Sequence, residues 1–377
     1  MPVLWFDEPP GGWTYFKGEA ERLTREGHEV VVICPHLGRP YSSEPGVKVY
    51  RCASTYLMGR VFVIHPLSFL RCVSSVFRDG KRFDVVLDET SGLYPISLAV
   101  WLWTRMRGRR TPIMVHVRGQ LKDLVGRGFV SRLFEMYLHT AGRLSYMLAD
   151  RVLISGENIR PRVLSLGASP SKLRLIPFSV KHSEPVPRED YAREELGIDA
   201  GAFVVGNVGR PTRAKGVDTL IRGFALARIP GSVLLLVGED SERREMEALA
   251  SRLGVSQSVR FLGYRRDVPR LLQVMDAFAN LSLSEGGVSG AQLEAMRAGL
   301  PSVTTPFDPQ LTPAEAVIVK EGDAEGCAAA LRALASAPEL RAVMGRRAKT
   351  KAVEMLRANS WEEYLPAMAS VFREAGL

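Results

Sequence analysis

The chain has 377 residues, of which 46% are hydrophobic and 24% are charged. This length excludes a single small binding module and the composition excludes a disordered or fibrous protein, so we predict two globular domains. The formal net charge is +9, and residues 51–150 alone hold 15 basic and 7 acidic side chains. This excess favours an anionic partner, although an ordinary solvated arginine-rich surface is the alternative interpretation.

Targeting and anchoring signals are not predicted. The longest nearly uncharged apolar segment, residues 91–104, is too short to span a bilayer, and the N-terminal segment MPVLWFDEPP does not have the pattern of a secretory signal. We therefore expect a cytoplasmic protein, in contact with the inner face of the membrane if its basic first domain binds lipid. The four cysteines form no CxxC pair, which predicts buried free thiols and no metal site: Cys34, Cys52, Cys72 and Cys327.

Short β-branched segments alternate with amphipathic segments along the whole chain. Predicted strands in the first half are residues 3–6, 28–34, 85–87, 113–117, 151–154 and 173–176. Predicted strands in the second half are residues 203–208, 233–237, 259–262, 278–281 and 302–304. Predicted helices include residues 15–26, 217–227, 241–253 and 360–375. Apolar strands without alternation indicate parallel sheets covered on both faces, so we expect two parallel α/β domains.

Two segments between these elements bear on domain organisation and membrane contact. The polar, proline-containing segment 179–190 predicts an interdomain linker, with the boundary near Lys181. Residues 93–103 precede several arginines and fit either an interfacial membrane helix or a crossover helix packed on the sheet. The crossover helix is favoured because a parallel sheet needs one at this point.

The N-terminal glycine pair is the first candidate for ligand binding. Gly11 and Gly12 stand between a short apolar strand and a helix that Gly27 is expected to end. Glycines there allow backbone amides to approach an anion at a helix N-terminus, although ordinary tight turns use the same residues.

The segment 205–216 carries cations directly after a predicted strand. Arg210, Arg213 and Lys215 lie in the loop between this strand and the helix that begins at Val217. Ligands bind at the carboxyl ends of parallel strands, where the Arg210 guanidinium and the Lys215 ammonium suit a diphosphate. A solvated basic loop is the alternative.

The segment 284–299 predicts a loop followed by a helix with an anion-binding end. Ser289 and Gln292 have capping-box spacing, so the helix is expected to start near Gly290 with free amides toward the loop. Glu285 on the loop and Glu294 on the helix could accept hydrogen bonds from sugar and ribose hydroxyls. Apolar neighbours predict partial burial of Glu294, and a buried carboxylate needs a partner.

His116 ends the apolar strand 113–117, at an edge where active sites collect. A structural histidine is the alternative, and none of the other five histidines has metal-ligand spacing relative to it.

Taken together, these segments resemble a GT-B glycosyltransferase of the retaining family 4. The resemblance is carried by Gly11-Gly12 with REGHEVVVICP, RVLIS, KLRLIPF, VGNVGRPTRAKGVDTLIRGFALA, VLLLVGED, VRFLGYRRDVPRLLQVMDAFANLSLSEG and LEAMRAGLPSVTT. It implies two Rossmann-like domains facing a central cleft, with a C-terminal helix that crosses back to the first domain. We expect a first domain of residues 1–181 plus helix 358–377, and a nucleotide-sugar-binding domain of residues 182–357.

The resemblance also implies roles for individual residues. Arg210 and Lys215 would bind the donor diphosphate, Glu294 the ribose and Glu285 the transferred sugar, with His116 beside that sugar. The other expected donor-binding residues are Gly11, Gly12, Arg118, Asn207, Tyr264, Arg265, Gly286, Gly287, Val288, Ser289 and Gly290. No metal and no cofactor is expected, because cations and helix amides would neutralise the leaving nucleotide diphosphate.

One departure from the family pattern concerns the two glutamates. Family members usually have seven residues between them, whereas Glu285 and Glu294 have eight between them. We expect the additional residue to bulge in the loop 286–290, which makes the sugar contacts differ from the family more than the phosphate contacts do.

The favoured function is transfer of a sugar from a nucleotide-diphosphate-sugar, such as a UDP- or GDP-sugar, to a glycan or lipid-linked acceptor with retention. A nucleotide-sugar epimerase of the same fold is an alternative, and it would act on the donor without an acceptor. Nucleic-acid binding, which the basic composition raises, is disfavoured because no aromatic-basic RNA motif or helix-turn-helix pattern is present.

Overall fold

The structure, a computed structural model, describes residues 2–6, 20, 23–35, 47–57, 61–77, 82–89, 96–106, 108, 110–117, 129–176, 193–240, 242–283, 285, 287–307, 309–358 and 361–375. The chain divides into two units. Unit 1 comprises Met1–Lys181 and Asn359–Leu377, and unit 2 comprises His182–Ala358.

Fifteen strands are found in the described residues. Those of unit 1 are β1 (Pro2–Phe6), β2 (Glu29–Pro35), β3 (Val47–Cys52), β4 (Ser54–Leu57), β5 (Val61–Ile64), β6 (Val85–Asp88), β7 (Ile113–Val117), β8 (Arg151–Ile154) and β9 (Leu173–Leu175). Those of unit 2 are β10 (Val204–Val208), β11 (Val233–Val237), β12 (Val259–Gly263), β13 (Ala277–Asn280), β14 (Ser302–Thr304) and β15 (Ala316–Ile318).

The longer helices alternate with these strands. They are α1 (Pro66–Phe77), α2 (Ile96–Met106), α3 (Phe129–Leu148), α4 (Arg160–Ser165), α5 (Val217–Ala227), α6 (Arg243–Arg252), α7 (Val268–Gln273), α8 (Gly290–Arg297), α9 (Ala324–Ser336), α10 (Pro338–Ala358) and α11 (Trp361–Glu374). Short 3₁₀ helices cover Glu157–Ile159, Pro170–Lys172 and Arg193–Leu196. No helix of the described residues is long and apolar enough to cross a membrane.

Each unit is built on one parallel sheet. The strand order is β3-β2-β1-β6-β7-β8-β9 in unit 1 and β12-β11-β10-β13-β14-β15 in unit 2, while β4 and β5 form an antiparallel hairpin. In both sheets the order reverses beside a central strand, β1 in the first and β10 in the second. Ligands of open α/β sheets bind at such switch points, outside the carboxyl ends of the strands.

Alternate residues of each strand enter two cores, one on each face of the sheet. In unit 1, Val86 and Val115 join one core, while Val85 and Met114 join the other. Because both faces are covered, the central strands are mostly apolar, as the sequence predicted.

The predicted parallel α/β architecture is confirmed. Strands β7, β8, β11 and β14 and helix α5 have the predicted bounds. Strands β3, β4, β5 and β15 were not predicted. Polar side chains such as Lys48 and Arg51 interrupt β3 at the edge of its sheet, and β15 has only three residues. Short or edge strands give a weak apolar signal because they have fewer covered positions.

Two other expectations can be compared with the structure. Helix α2 connects β6 to β7, with Val100 in the core and Trp101 and Trp103 packed against it, which confirms a crossover helix. All four cysteines are free thiols, and three of them are buried as predicted. Cys72 is only half-buried, because it lies on α1 beside the edge strand β3, where the Cys72 Sγ donates to the carbonyl of Arg51 at 3.3 Å.

Helix α11 belongs to unit 1. Its apolar stripe packs into one of the two cores of the unit 1 sheet, through Tyr364, Met368, Val371 and Phe372. At its carboxyl end, the Glu374 carboxylate accepts hydrogen bonds from Arg174 and the main-chain carbonyl of Glu374 accepts one from Arg151 at 2.5 Å. Guanidinium groups at a helix carboxyl end also interact favourably with its dipole.

This packing predicts that α11 contributes to the stability of unit 1. Met368→Ala should lower the thermal midpoint, because removing a buried methionine side chain costs about 2–5 kcal/mol. Met106→Ala is the matched control, since Met368 is 5% exposed and Met106 is 76% exposed. Thermal unfolding followed by circular dichroism measures both variants. Equal midpoints for the two would show that α11 is not part of the core of unit 1.

Candidate functional site

The strongest candidate site in unit 2 lies where β10 and β13 end. The turn after β10 places the Lys215 ammonium 2.5 Å from Oε1 of Glu285, which follows the end of β13. Both side chains are largely buried, with 28% of Lys215 and 12% of Glu285 exposed. The sequence predicted these two residues as functional, and the structure brings them into direct contact.

The Lys215 turn is attached to the residues that follow β13. The amide of Leu283 donates to the carbonyl of Ala214 at 3.0 Å. Gly216 has a φ of +65°, and a Cβ at this position would lie 1.9 Å from the carbonyl oxygen of Leu281. Only glycine fits here, so the position of Lys215 depends on a close backbone approach.

Arg210 lies beside the end of β11. Its Nη1 is 3.7 Å from Oδ2 of Asp240, and 56% of its side chain is exposed. Gly238 has a φ of +142°, and a Cβ there would lie 1.9 Å from the carbonyl oxygen of Gly209. The loops after β10 and β11 are therefore in close backbone contact, which places Arg210 at the carboxyl edge of the unit 2 sheet.

Helix α8 begins where the capping box predicted. Ser289 is the N-cap, its Oγ accepts from the Gln292 amide at 3.3 Å, and Nδ2 of Asn280 donates to the same oxygen at 3.2 Å. The first amides of a helix have no partner within the helix and carry partial positive charge. Gly287, with a φ of +128°, lies in the loop before the helix, where the additional residue was expected.

Glu294 lies on α8, between the buried side chains of Leu293 and Ala295. Burial raises the pKa of its carboxyl group, an effect that the nearby Arg297 partly offsets. The partial burial predicted from its apolar neighbours is confirmed.

The remaining predicted donor-binding residues of unit 2 are in varied environments. Asn207 is buried on β10, and its amide nitrogen donates to the carbonyl of Ala279 at 2.8 Å, which joins β10 to β13. Tyr264 follows β12 and is 74% exposed. Arg265 forms two hydrogen bonds with Asp267, at 2.8 and 2.6 Å. In this structure Asn207 and Arg265 therefore make intramolecular bonds.

His116 is buried at the carboxyl end of β7 in unit 1. Its Nδ1 is 3.1 Å from Oε1 of Glu89, which follows β6, and its Nε2 is 3.1 Å from Oγ of Ser155, which follows β8. Sequence reasoning predicted His116 but missed these two partners and Asp240. Each of the three is a polar residue within three positions of the end of a predicted apolar strand, which is a signal that could have marked them as candidates.

Other predicted residues lie outside the described part of the chain: Gly11, Gly12, Arg118 and Gly286. Within the described part, no group of three or more histidine, cysteine or acidic side chains is arranged to hold a metal ion.

Comparison with protein families gives two matches that together include most of the chain. Residues 10–179 match the glycosyl transferase 4-like domain, and residues 202–337 match the glycosyl transferases group 1. A lipopolysaccharide core biosynthesis glycosyltransferase, LpsE of Rhizobium meliloti, is 33% identical over 234 residues, which are 60% of this chain and 67% of LpsE. The chain belongs to the group 1 glycosyl transferases. It is a nucleotide-sugar-dependent glycosyltransferase of the GT-B type.

Other relatives agree with this assignment. The lipopolysaccharide glucosyltransferase WaaG of Escherichia coli is 32% identical over 196 residues, so the match spans about half of each chain, 48% of this one and 51% of WaaG. Among solved structures, sucrose-phosphate synthase from Thermosynechococcus elongatus has a TM-score of 0.79 at 19% identity. The aligned residues are 99% of this chain and 98% of the synthase chain. HepE of Anabaena, in complex with UDP-glucose, has a TM-score of 0.74 at 19% identity, with 98% of this chain and 100% of HepE covered. These structures establish the GT-B fold.

The close approach at Gly216 leads to a prediction about two glycines with the same backbone conformation. Gly216 and Gly231 both have a φ of +65°, but a Cβ at Gly231 would have no atom within 4 Å. Gly231→Ala should cost about 1 kcal/mol of unfolding free energy through backbone strain alone. Gly216→Ala should cost more, because the Cβ also displaces the Lys215 turn from Leu281. Denaturant unfolding of both variants tests this, and equal losses would contradict the close approach.

Proposed function

We propose that this enzyme transfers a sugar from a UDP-sugar to a glycolipid or polysaccharide acceptor, with retention of configuration and without a metal ion. The observation that carries the proposal is the contact between Lys215 and Glu285 at the carboxyl ends of β10 and β13. The UDP-glucose complex of HepE supports a UDP-sugar donor, and the names of LpsE and WaaG support an acceptor from lipopolysaccharide assembly.

Lys215 can bind a diphosphate without losing its carboxylate partner. An ammonium group has three N–H donors, and Glu285 occupies the direction of one of them. Phosphate oxygens accept the remaining donors, while the Glu285 carboxylate fixes the ammonium in place before the donor binds. A carboxylate has about four lone-pair sites, so Glu285 can accept from hydroxyl groups of the transferred sugar as well as from Lys215.

Negative charge grows on the leaving diphosphate as the glycosidic bond breaks. Fixed donors that stabilise this growing charge lower the barrier, since they need no reorganisation during the reaction. Lys215 and the amides at the start of α8 are such donors. Arg210 adds a planar, permanently charged group that can bind two phosphate oxygens at once. These cationic groups take the place that a divalent metal fills in other enzymes.

Glu294 is suited to bind the ribose. Its carboxyl group is partly buried, and this burial raises its pKa because it disfavours the charged form. Two hydroxyl groups of a ribose would donate to the two carboxylate oxygens and stabilise this charge. Tyr264, exposed at the end of β12, is available to pack against the base.

Substitution of Lys215 tests the donor site. Lys215→Ala should lower kcat for transfer from UDP-sugars by at least about 100-fold, because a fixed group that stabilises leaving-group charge is removed. It should also reduce the increase in thermal midpoint that UDP causes in the unmodified enzyme. The matched control is Lys351→Ala, since Lys351 is likewise paired with a carboxylate, Glu354, at 3.8 Å. The assay contains EDTA, because the mechanism uses no divalent ion.

Two results would contradict the proposal. Unchanged turnover of Lys215→Ala would remove Lys215 from the donor site, and loss of all transfer in EDTA would show that a metal is required. Incubation with the UDP-sugar alone distinguishes a transferase from an epimerase, since an epimerase would change the sugar without an acceptor.

We also propose that unit 1 contacts an anionic membrane surface through helices α2 and α3. Met106 on α2 and Met136 and Met147 on α3 are 76%, 64% and 57% exposed. Exposed Arg105 and Arg143 lie on the same two helices. Exposed apolar side chains with adjacent arginines are typical of surfaces that bind anionic lipid. A glycolipid acceptor would be reached from such a surface.

Vesicle flotation tests this surface. The unmodified chain should float with vesicles that contain anionic phosphatidylglycerol and much less with purely neutral phosphatidylcholine vesicles, because each arginine gains about 1 kcal/mol near an anionic surface. Flotation should be abolished in a variant that combines four substitutions: Met106→Ser, Met147→Ser, Arg105→Glu and Arg143→Glu. Leu226→Ser removes an exposed leucine of unit 2 and serves as the control. If the variant with all four substitutions floats as well as the unmodified chain, the lipid contact lies elsewhere on the protein.

A further inference from the structure

Three polar side chains form a hydrogen-bonded series inside unit 1, at the carboxyl ends of three adjacent strands. Glu89, His116 and Ser155 follow or end β6, β7 and β8, and they are 5%, 1% and 6% exposed. The distances from His116 are 3.1 Å on each side, from Nδ1 to Oε1 of Glu89 and from Nε2 to Oγ of Ser155. Both ring nitrogens of His116 are therefore engaged by protein groups from neighbouring strands.

The chemistry of the partners determines where the protons lie. With Glu89 ionised, as the inference takes it to be, its carboxylate only accepts hydrogen bonds, and the contact then requires a proton on Nδ1 of His116. The Ser155 hydroxyl can donate one proton, either to Nε2 of His116 at 3.1 Å or to the carbonyl of Val117 at 3.5 Å. The distance to the Val117 carbonyl is outside the usual range of an O–H···O hydrogen bond, so the geometry favours donation from the hydroxyl to Nε2.

We propose that Glu89 and Ser155 are positioning residues that hold His116 as the neutral Nδ1–H tautomer. An Nε2 that accepts a proton from Ser155 carries none of its own, so the ring is an imidazole and not an imidazolium. The series as a whole then carries the single negative charge of Glu89. The tautomer follows from the contacts of His116 alone. Its catalytic consequence rests on the proposed function, because the family resemblance implies that His116 lies beside the transferred sugar.

The consequence concerns the charge of the sugar in the transition state. When a glycosidic bond breaks, the anomeric carbon becomes oxocarbenium-like and gains positive charge. An imidazolium beside it would repel that charge, whereas a neutral imidazole backed by a carboxylate attracts it. The benefit arises mainly in the transition state, so loss of Glu89 should lower kcat and leave KM for the donor unchanged.

The first experiment reads the tautomer directly. The full chain is labelled with ¹⁵N-histidine, and long-range proton–nitrogen NMR spectra distinguish a protonated ring nitrogen from a bare one. His116 is assigned as the signal that is lost in His116→Gln. We expect a protonated Nδ1 and a bare Nε2 in the unmodified chain. An imidazolium, or a ring protonated only on Nε2, would overturn the inference. Because this result comes from the unmodified chain, it does not depend on whether a Glu89 variant folds.

The second experiment compares variants. Glu89→Gln should give a mixture of tautomers and lower kcat by about 10- to 100-fold, the range seen when the hydrogen-bond partner of a metal-ligating histidine is removed. Ser155→Ala should lower kcat and Ser155→Thr should restore it, because threonine retains the hydroxyl. Asp84→Asn is the matched control, since Asp84 is an exposed carboxylate near the amino end of β6 and Glu89 follows its carboxyl end.

The outcomes separate this inference from the proposed function. Glu89→Gln with an unchanged spectrum and unchanged kcat would overturn the positioning roles even if the enzyme transfers sugar. The spectrum of the unmodified chain is recorded without substrate, so failure of the UDP-sugar assay would contradict the proposed function and leave the tautomer result standing.

Discussion

The ion pair between Lys215 and Glu285 is the interaction on which the proposed chemistry of unit 2 depends. A lysine ammonium on a flexible side chain is normally mobile, and ordering it costs conformational entropy. Here the pairing with a largely buried carboxylate fixes the ammonium at 2.5 Å before any ligand arrives. The ordering cost is met during folding, so a diphosphate bound as proposed would meet a cation that is already in place.

That pairing is possible only because the backbone allows it. Gly216 brings the Lys215 turn against Leu281, and Gly238 brings the loop after β11 against Gly209. Both contacts occur at the carboxyl edge of the sheet, where the chain changes from strand to helix. The two glycines therefore allow the close backbone contacts, and the charged side chains on the adjacent loops are the groups proposed to bind the donor.

The sequence predicted most of the elements but not how the polar side chains pair. Apolar segments predicted most strands, because strands covered on both faces have few polar positions, and the spacing of Ser289 and Gln292 predicted the start of α8. The pairing of Arg210 and His116 with their partners could not be predicted. Asp240, Glu89 and Ser155 are distant in sequence, and only the strand order of each sheet makes them neighbours.

The position of α11 has a consequence for synthesis of the chain. The ribosome makes Met1–Lys181 first, then all of His182–Ala358, and only afterwards the helix that covers one face of the first sheet. Until then Val30, Val85 and Met114 lack part of their covering. Unit 2 can therefore complete its cores before unit 1 does, which reverses the usual order in which the N-terminal domain folds first during translation.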